Sequence, residues 1–76
     1  MTIKVLGTGC DKCKKLEANV REAVKNMSLD ASVEKVEDFK AIMAYGVMQT
    51  PALVVDEQVK SIGRVLNVEE VKEYLK

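Results

Sequence analysis

Within its first few residues the chain changes hydrophobic period. In Thr2-Ile3-Lys4-Val5-Leu6 the apolar positions Ile3 and Val5 alternate about Lys4, as in a strand. From Cys13 onward, Leu16, Val20, Ala23, Val24 and Met27 recur at helical spacing, and Lys14, Lys15, Glu17, Arg21, Glu22 and Lys25 take the opposite face. Between the two patterns stands Gly7-Thr8-Gly9, a flexible turn that bends the backbone sharply from strand into helix. A strand feeding a long amphipathic helix so directly must lay that helix across a sheet, with the next strand joining parallel after the crossover. The chain is therefore read as α/β.

The remaining elements follow from shorter signals. Ser32-Val33-Glu34-Lys35-Val36 is a strand of poor alternation. Asp38 is suited to N-cap a short helix, Phe39 to Tyr45, that buries Phe39, Ile42 and Met43 and stops at Gly46, a residue fit for the left-handed C′ position. Val47 to Thr50 leads into Pro51. Ala52-Leu53-Val54-Val55 is a continuous apolar strand, Asp56-Glu57-Gln58 a turn without the usual Asn-Gly signature, and Val59 to Ile62 the return strand of a hairpin. After Gly63, Asn67 caps a last helix with Glu70 at the capping-box position and Val68, Val71, Tyr74 and Leu75 on one face. The expected fold is β-α-β-α-β-β-α, a four-stranded mixed sheet with three helices, residues 1–76 forming one domain.

Composition narrows the function. The 76 residues carry 12 basic and 12 acidic side chains, one Phe, two Tyr and no Trp. Neither the positive field nor the stacking surface of nucleic-acid recognition is present, so that class is set aside. A domain of this size buries roughly 60–65% of its unfolded surface, which makes for a thin core. Met1 leads directly into the first strand, with no basic leader or long apolar run, so the expectation is a cytoplasmic protein with no membrane partner. Without His, imidazole chemistry is excluded.

The two cysteines, Cys10 and Cys13, stand at the strand-to-helix junction as Cys10-Asp11-Lys12-Cys13. In a reducing compartment such a pair reads as catalytic or metal-binding rather than as a staple. Closing so short a loop stabilises by at most about 2 kcal/mol. A free thiol of pKa near 8.5 is only about 3% ionised at pH 7, and lowering that pKa to about 7 takes roughly 2 kcal/mol of preferential thiolate stabilisation. A helix N-terminus supplies about 0.3–1 of this through its dipole, and its free N–H groups supply the remainder. Lys12 is screened and Asp11 opposes it, so the shift is assigned to the backbone. The plainer readings are two inert buried thiols, or half of a zinc site shared between chains.

Taken together, Gly7-Thr8-Gly9-Cys10-x-x-Cys13, the amphipathic helix, Tyr45-Gly46-Val47-Met48-Gln49-Thr50-Pro51-Ala52-Leu53-Val54-Val55-Asp56 and Gly63-Arg64-Val65 resemble the small thioredoxin-like, glutaredoxin-sized redox proteins of archaea and bacteria. The resemblance covers the whole chain. It implies a minimal thioredoxin-like fold and a thiol–disulfide oxidoreductase, with Cys10 the exposed attacking cysteine and Cys13 the buried resolving one. It further implies that Pro51 is a cis-proline facing the disulfide, that the Thr50 backbone bonds an extended substrate segment, and that the Gly63 region flanks the same surface. The partners implied are protein disulfides and a reductase, acting on a monomer with no cofactor beyond the Cys10–Cys13 pair and no metal. Asp11-Lys12 is neither the Gly-Pro typical of thioredoxins nor the Pro-Tyr typical of glutaredoxins, and the glutathione-contacting pattern of glutaredoxins is not reproduced, so potential, partner and glutathione dependence do not carry over.

Plainer alternatives stand beside this. Pro51 is otherwise a trans proline opening an edge strand. Met27, Met43, Phe39 and Tyr74 are most simply core, and Met48 and Tyr45 belong either to a partner surface or to the core and its rim. The rival functions are a soft-metal, copper(I) carrier and a redox-regulated binding module without turnover. Copper(I) chaperone domains resemble Met-x-Cys-x-x-Cys and end in a strand, whereas here Thr8 replaces the Met and the chain is expected to end in a helix.

Overall fold

The computed structural model describes residues 1–9 and 11–76. Strand β1, Thr2–Leu6, is followed by the long helix α1, Asp11–Met27, and the crossover returns as β2, Ser32–Val36, parallel to β1 from Thr2↔Ser32 to Leu6↔Val36. Helix α2, Phe39–Ala44, leads to the hairpin β3, Ala52–Val55, and β4, Gln58–Ile62, and α3, Val68–Leu75, closes the chain. The sheet order is β2-β1-β3-β4, with β1 antiparallel to β3 and β3 antiparallel to β4. The α/β fold class read from the sequence is thus the observed one.

Alternation along β1 and β3 divides the core between two faces. Ile3, Val5, Leu53 and Val55 point to one side and pack with Leu16, Val20 and Ala23 of α1 and with Val71 and Leu75 of α3. Leu6, Ala52 and Val54 point to the other, where Ile42 of α2 and Val47 cover them. The central strand β3 is buried at every position, which explains why its sequence reads as an unbroken apolar run. β2 lies at the edge with mostly exposed side chains, so its pairing to β1 rather than its own pattern makes it a strand.

Local signals end the helices. Ser28 takes a left-handed conformation (φ 52°) after α1, where Ser28 N–H donates to the Lys25 carbonyl and Leu29 N–H to that of Val24, both at 3.1 Å. Asp38 caps α2, its carboxylate accepting from Lys40 N–H at 3.2 Å, and Gly46 N–H donates to the Met43 carbonyl at 2.9 Å. Asn67 and Glu70 form a reciprocal capping box on α3. In the hairpin, Asp56 and Glu57 form a two-residue loop with φ 48° and 67°, the mirror-image turn whose twist suits a tight hairpin. Asp56 is held there because its backbone N–H donates to the Thr2 carbonyl at 2.8 Å while its carboxylate accepts from Thr2 N–H at 2.9 Å.

Three side chains depart from the expected core. Phe39 and Met43 are 66% and 51% exposed, and Tyr74 is exposed as well. α2 spans 6 residues and buries only Ile42, because a helix this short covers one patch of sheet: Phe39, one turn earlier at its first position, and Met43, the next residue, extend past that patch. Tyr74 falls off the line of Val71 and Leu75 that faces α1. Met27 packs against the larger core as expected.

Candidate redox site

The site is built where the C-terminal end of β1 turns into α1. Gly7 continues the ladder, its N–H donating to the Val36 carbonyl at 2.9 Å, and it is buried. The conformational freedom of the turn resides in Gly9, whose φ is +84°. Gly7 serves a different purpose: a Cβ placed on it would overlap the sulfur of Cys13, lie 2.9 Å from Cys13 Cβ and 3.9 Å from Thr50 Cβ. The missing side chain is space for a cysteine.

Cys13 lies in the first turn of α1 and is almost completely buried, on the helix line it shares with Leu16, Val20 and Ala23. Cys10, expected to be the exposed attacking thiol at the mouth of that helix, lies outside the described residues. Thr50, in the loop that leads into β3, borders the same space, and the Thr50–Pro51 peptide bond is cis. Pro51 is buried, and its carbonyl accepts from Gly63 N–H at 2.8 Å just beyond β4. Gly63 has φ +72°, and a Cβ on it would lie 2.5 Å from the Gln49 Oε1. Cys13 and Thr50, far apart in sequence, thus border the same space at Gly7, and the Gly63–Pro51 hydrogen bond ties the end of β4 to the residue that follows Thr50.

An apolar groove of about 200 Å³ opens beside this point, lined by Thr8, Phe39, Ile42, Met43, Val47, Met48 and Thr50. Met48, 86% exposed, and the side chains of Phe39 and Met43 that sequence reasoning placed in the core form its walls. The Gly7–Cys13 contact and the Gln49–Gly63 contact were also missed. The signal for the first was present: a glycine whose turn already had a second glycine to supply the unusual conformation.

On the α2 side of the sheet, Lys4 Nζ donates to Tyr45 OH at 2.9 Å and to Glu57 Oε1 at 2.7 Å, and Tyr45 OH donates to Glu57 Oε2 at 3.0 Å. The closed ring holds the Lys4 ammonium well above its ordinary pKa, through the Glu57 hydrogen bond first and that of Tyr45 second. It holds the Glu57 carboxyl below its ordinary value by the hydrogen bonds from Lys4 and then Tyr45.

A four-stranded sheet of order β2-β1-β3-β4, with α1 and α3 on one face and α2 on the other, is the arrangement of the thioredoxin-like class. The chain belongs to the thioredoxin domain family, whose family model matches residues 1–76. It is 44% identical over 75 residues to a thioredoxin of Methanothermobacter thermautotrophicus, an alignment covering 99% of this chain and 97% of that protein. It is 38% identical over 76 residues to a thioredoxin of Methanocaldococcus jannaschii, covering 100% of this chain and 87% of that one. Among the described residues, no helix is long and apolar enough to cross a membrane.

Proposed function

We propose that this chain is a dithiol–disulfide oxidoreductase, exchanging two electrons with disulfides of other proteins through Cys10 and Cys13. The observation that carries the reading is the packing of the Cys13 sulfur over Gly7, in the space that Thr50 borders as it enters the cis bond to Pro51. A thiol held in that position is shielded from solvent yet three residues along the chain from Cys10. Membership of the thioredoxin family supports the same chemistry.

The steps balance without a bound cofactor. The Cys10 thiolate attacks one sulfur of a substrate disulfide, forming a mixed disulfide and expelling the other substrate sulfur as a thiolate. The Cys13 thiol gives up its proton, attacks Cys10 Sγ, and expels the second substrate thiolate, leaving Cys10–Cys13 oxidised and the substrate reduced by two electrons. A dithiol reductase returns the pair to its starting state. Thr50 supplies backbone hydrogen-bonding groups beside Pro51 for an extended substrate strand, and the Gly63 region flanks the same surface. The protein works as a monomeric single domain in a reducing, cytoplasmic compartment.

A trapping experiment tests the roles. Cys13→Ser leaves the mixed disulfide unresolved, so partners from a lysate should remain covalently held on Cys10 and be released by dithiothreitol. Cys10→Ser should hold far fewer. Equal capture by the two variants would reverse or dissolve the assignment.

A further inference from the structure

The groove beside the cis-proline has two walls. One is α2, presenting Phe39 and Met43; the other is the segment from Val47 to Thr50 that runs into Pro51. Tyr45 stands between them. It is the C-cap of α2, its N–H donating to the Ile42 carbonyl at 3.2 Å, and after Gly46 the chain turns into the second wall. Apolar packing holds this corner through Ile42 from the helix, Val47 from the segment and the half-buried side chain of Tyr45 itself. The polar tie between the corner and the sheet is the ring of Tyr45 with Lys4 on β1 and Glu57 in the β3–β4 turn, which fixes where the Tyr45 side chain lies on that apolar patch. None of these three residues is among the described residues that line the groove.

We propose that Tyr45, fixed through its hydroxyl by Lys4 and Glu57, is a positioning residue that sets the width of the groove and thereby the affinity for polypeptide substrates. The inference rests on the redox reading of the site. A groove of about 200 Å³ falls below the roughly 300–1,000 Å³ typical of small-molecule sites and suits an apolar side chain of a protein segment instead. Thr8, two residues before Cys10 in the chain, and Thr50, which borders the space of Cys13, both belong to the groove, so a polypeptide substrate of this site has the groove to occupy. A small disulfide need not occupy it. Releasing the ring frees the corner between the walls, so binding of a polypeptide weakens while the sulfur chemistry is untouched.

The test uses Tyr45→Phe, which keeps the aromatic ring and removes the hydroxyl, assayed on insulin with dithiothreitol as reductant and on 5,5′-dithiobis(2-nitrobenzoate). The KM for insulin should rise about threefold or more with kcat unchanged, the signature of lost uniform binding, and the rate with the small aromatic disulfide should stay at the wild-type value. Glu57→Ala should give the same split, and Glu57→Gln, which still accepts from Lys4 and still has a partner atom for Tyr45, should recover most of the loss. Circular dichroism melts check folding, and Glu57→Ala, altering an exposed side chain, carries the test if Tyr45→Phe does not fold. An unchanged insulin KM in folded variants, or an equal slowing on both substrates, overturns the proposal while leaving the redox reading intact. A wild type inactive on both disulfides overturns the redox reading and this inference with it.

Discussion

The sulfur of Cys13 occupies the space where a side chain on Gly7 would be, so the end of β1 and the first turn of α1 meet at a contact that admits no side chain at position 7 while Cys13 keeps its place. Gly7→Ala forces either the strand end or the cysteine to move. Overpacking of this kind typically destabilises by about 1–3 kcal/mol, and the denaturant midpoint should fall accordingly. Cys13 should also react faster with a thiol-alkylating reagent. Full stability and unchanged alkylation would show that the contact yields without consequence.

Gly63 presents two penalties that a pair of variants separates. Its φ of +72° strains any L side chain, and an added Cβ meets the end of the Gln49 side chain, which is flexible enough to withdraw. The backbone term should dominate, so Gly63→Ala is expected to lose about 1–2 kcal/mol. Adding Gln49→Ala in the same background should recover little. Full recovery in the double variant would assign the loss to the side-chain collision instead.

The capping box on α3 is exposed and local, which makes its contribution measurable in isolation. Asn67→Ala removes the acceptor for Glu70 N–H and should lower stability by about 1 kcal/mol in a urea titration. Because α3 packs on α1 through Val71 and Leu75, the single unfolding transition should shift as a whole rather than α3 melting alone. A separate early transition in helix signal would contradict this.

Acid should weaken the Lys4–Tyr45–Glu57 ring. Glu57 titrates below its ordinary value of 4.5, so its contribution is complete above that value and is lost as pH falls through the lowered folded pKa. Lys4 is raised from 10.5, so its contribution is complete below that value and is lost only as strong alkali titrates it. The stability difference between the wild type and Glu57→Gln should therefore be flat from about pH 6 to pH 9 and shrink toward acid. Carboxyl chemical shifts of Glu57, followed by NMR, should show the lowered midpoint directly; an ordinary midpoint would remove the basis for the acid loss.

Signals confined to a few neighbouring residues were readable in advance. Asp38, Asn67 with Glu70, and the period change across Gly7-Thr8-Gly9 each act within a turn of chain, and the structure places each as its local chemistry requires. What escaped depends on distance in sequence or on how far an element reaches. Lys4 is separated by 41 residues from Tyr45 and by 53 from Glu57, and nothing in any of the three strings marks the others. Phe39 and Met43 have the spacing of buried residues around Ile42, but α2 is too short and too near the site to cover them, and what resembles core is groove. The turn at Asp56-Glu57 lacks the usual residues because the bond to Thr2, in another strand, stabilises it.

A redox titration of the thiols decides whether Cys10 and Cys13 form a working pair. The protein is equilibrated across a series of dithiothreitol redox buffers, quenched by alkylation and weighed, alongside its activity on insulin. One two-electron transition is expected, in which both cysteines of the chain become alkylated together, and it should be lost in Cys10→Ser and in Cys13→Ser along with insulin reduction. Two thiols open to alkylation at every potential, with insulin reduced no faster than by dithiothreitol alone, would contradict it.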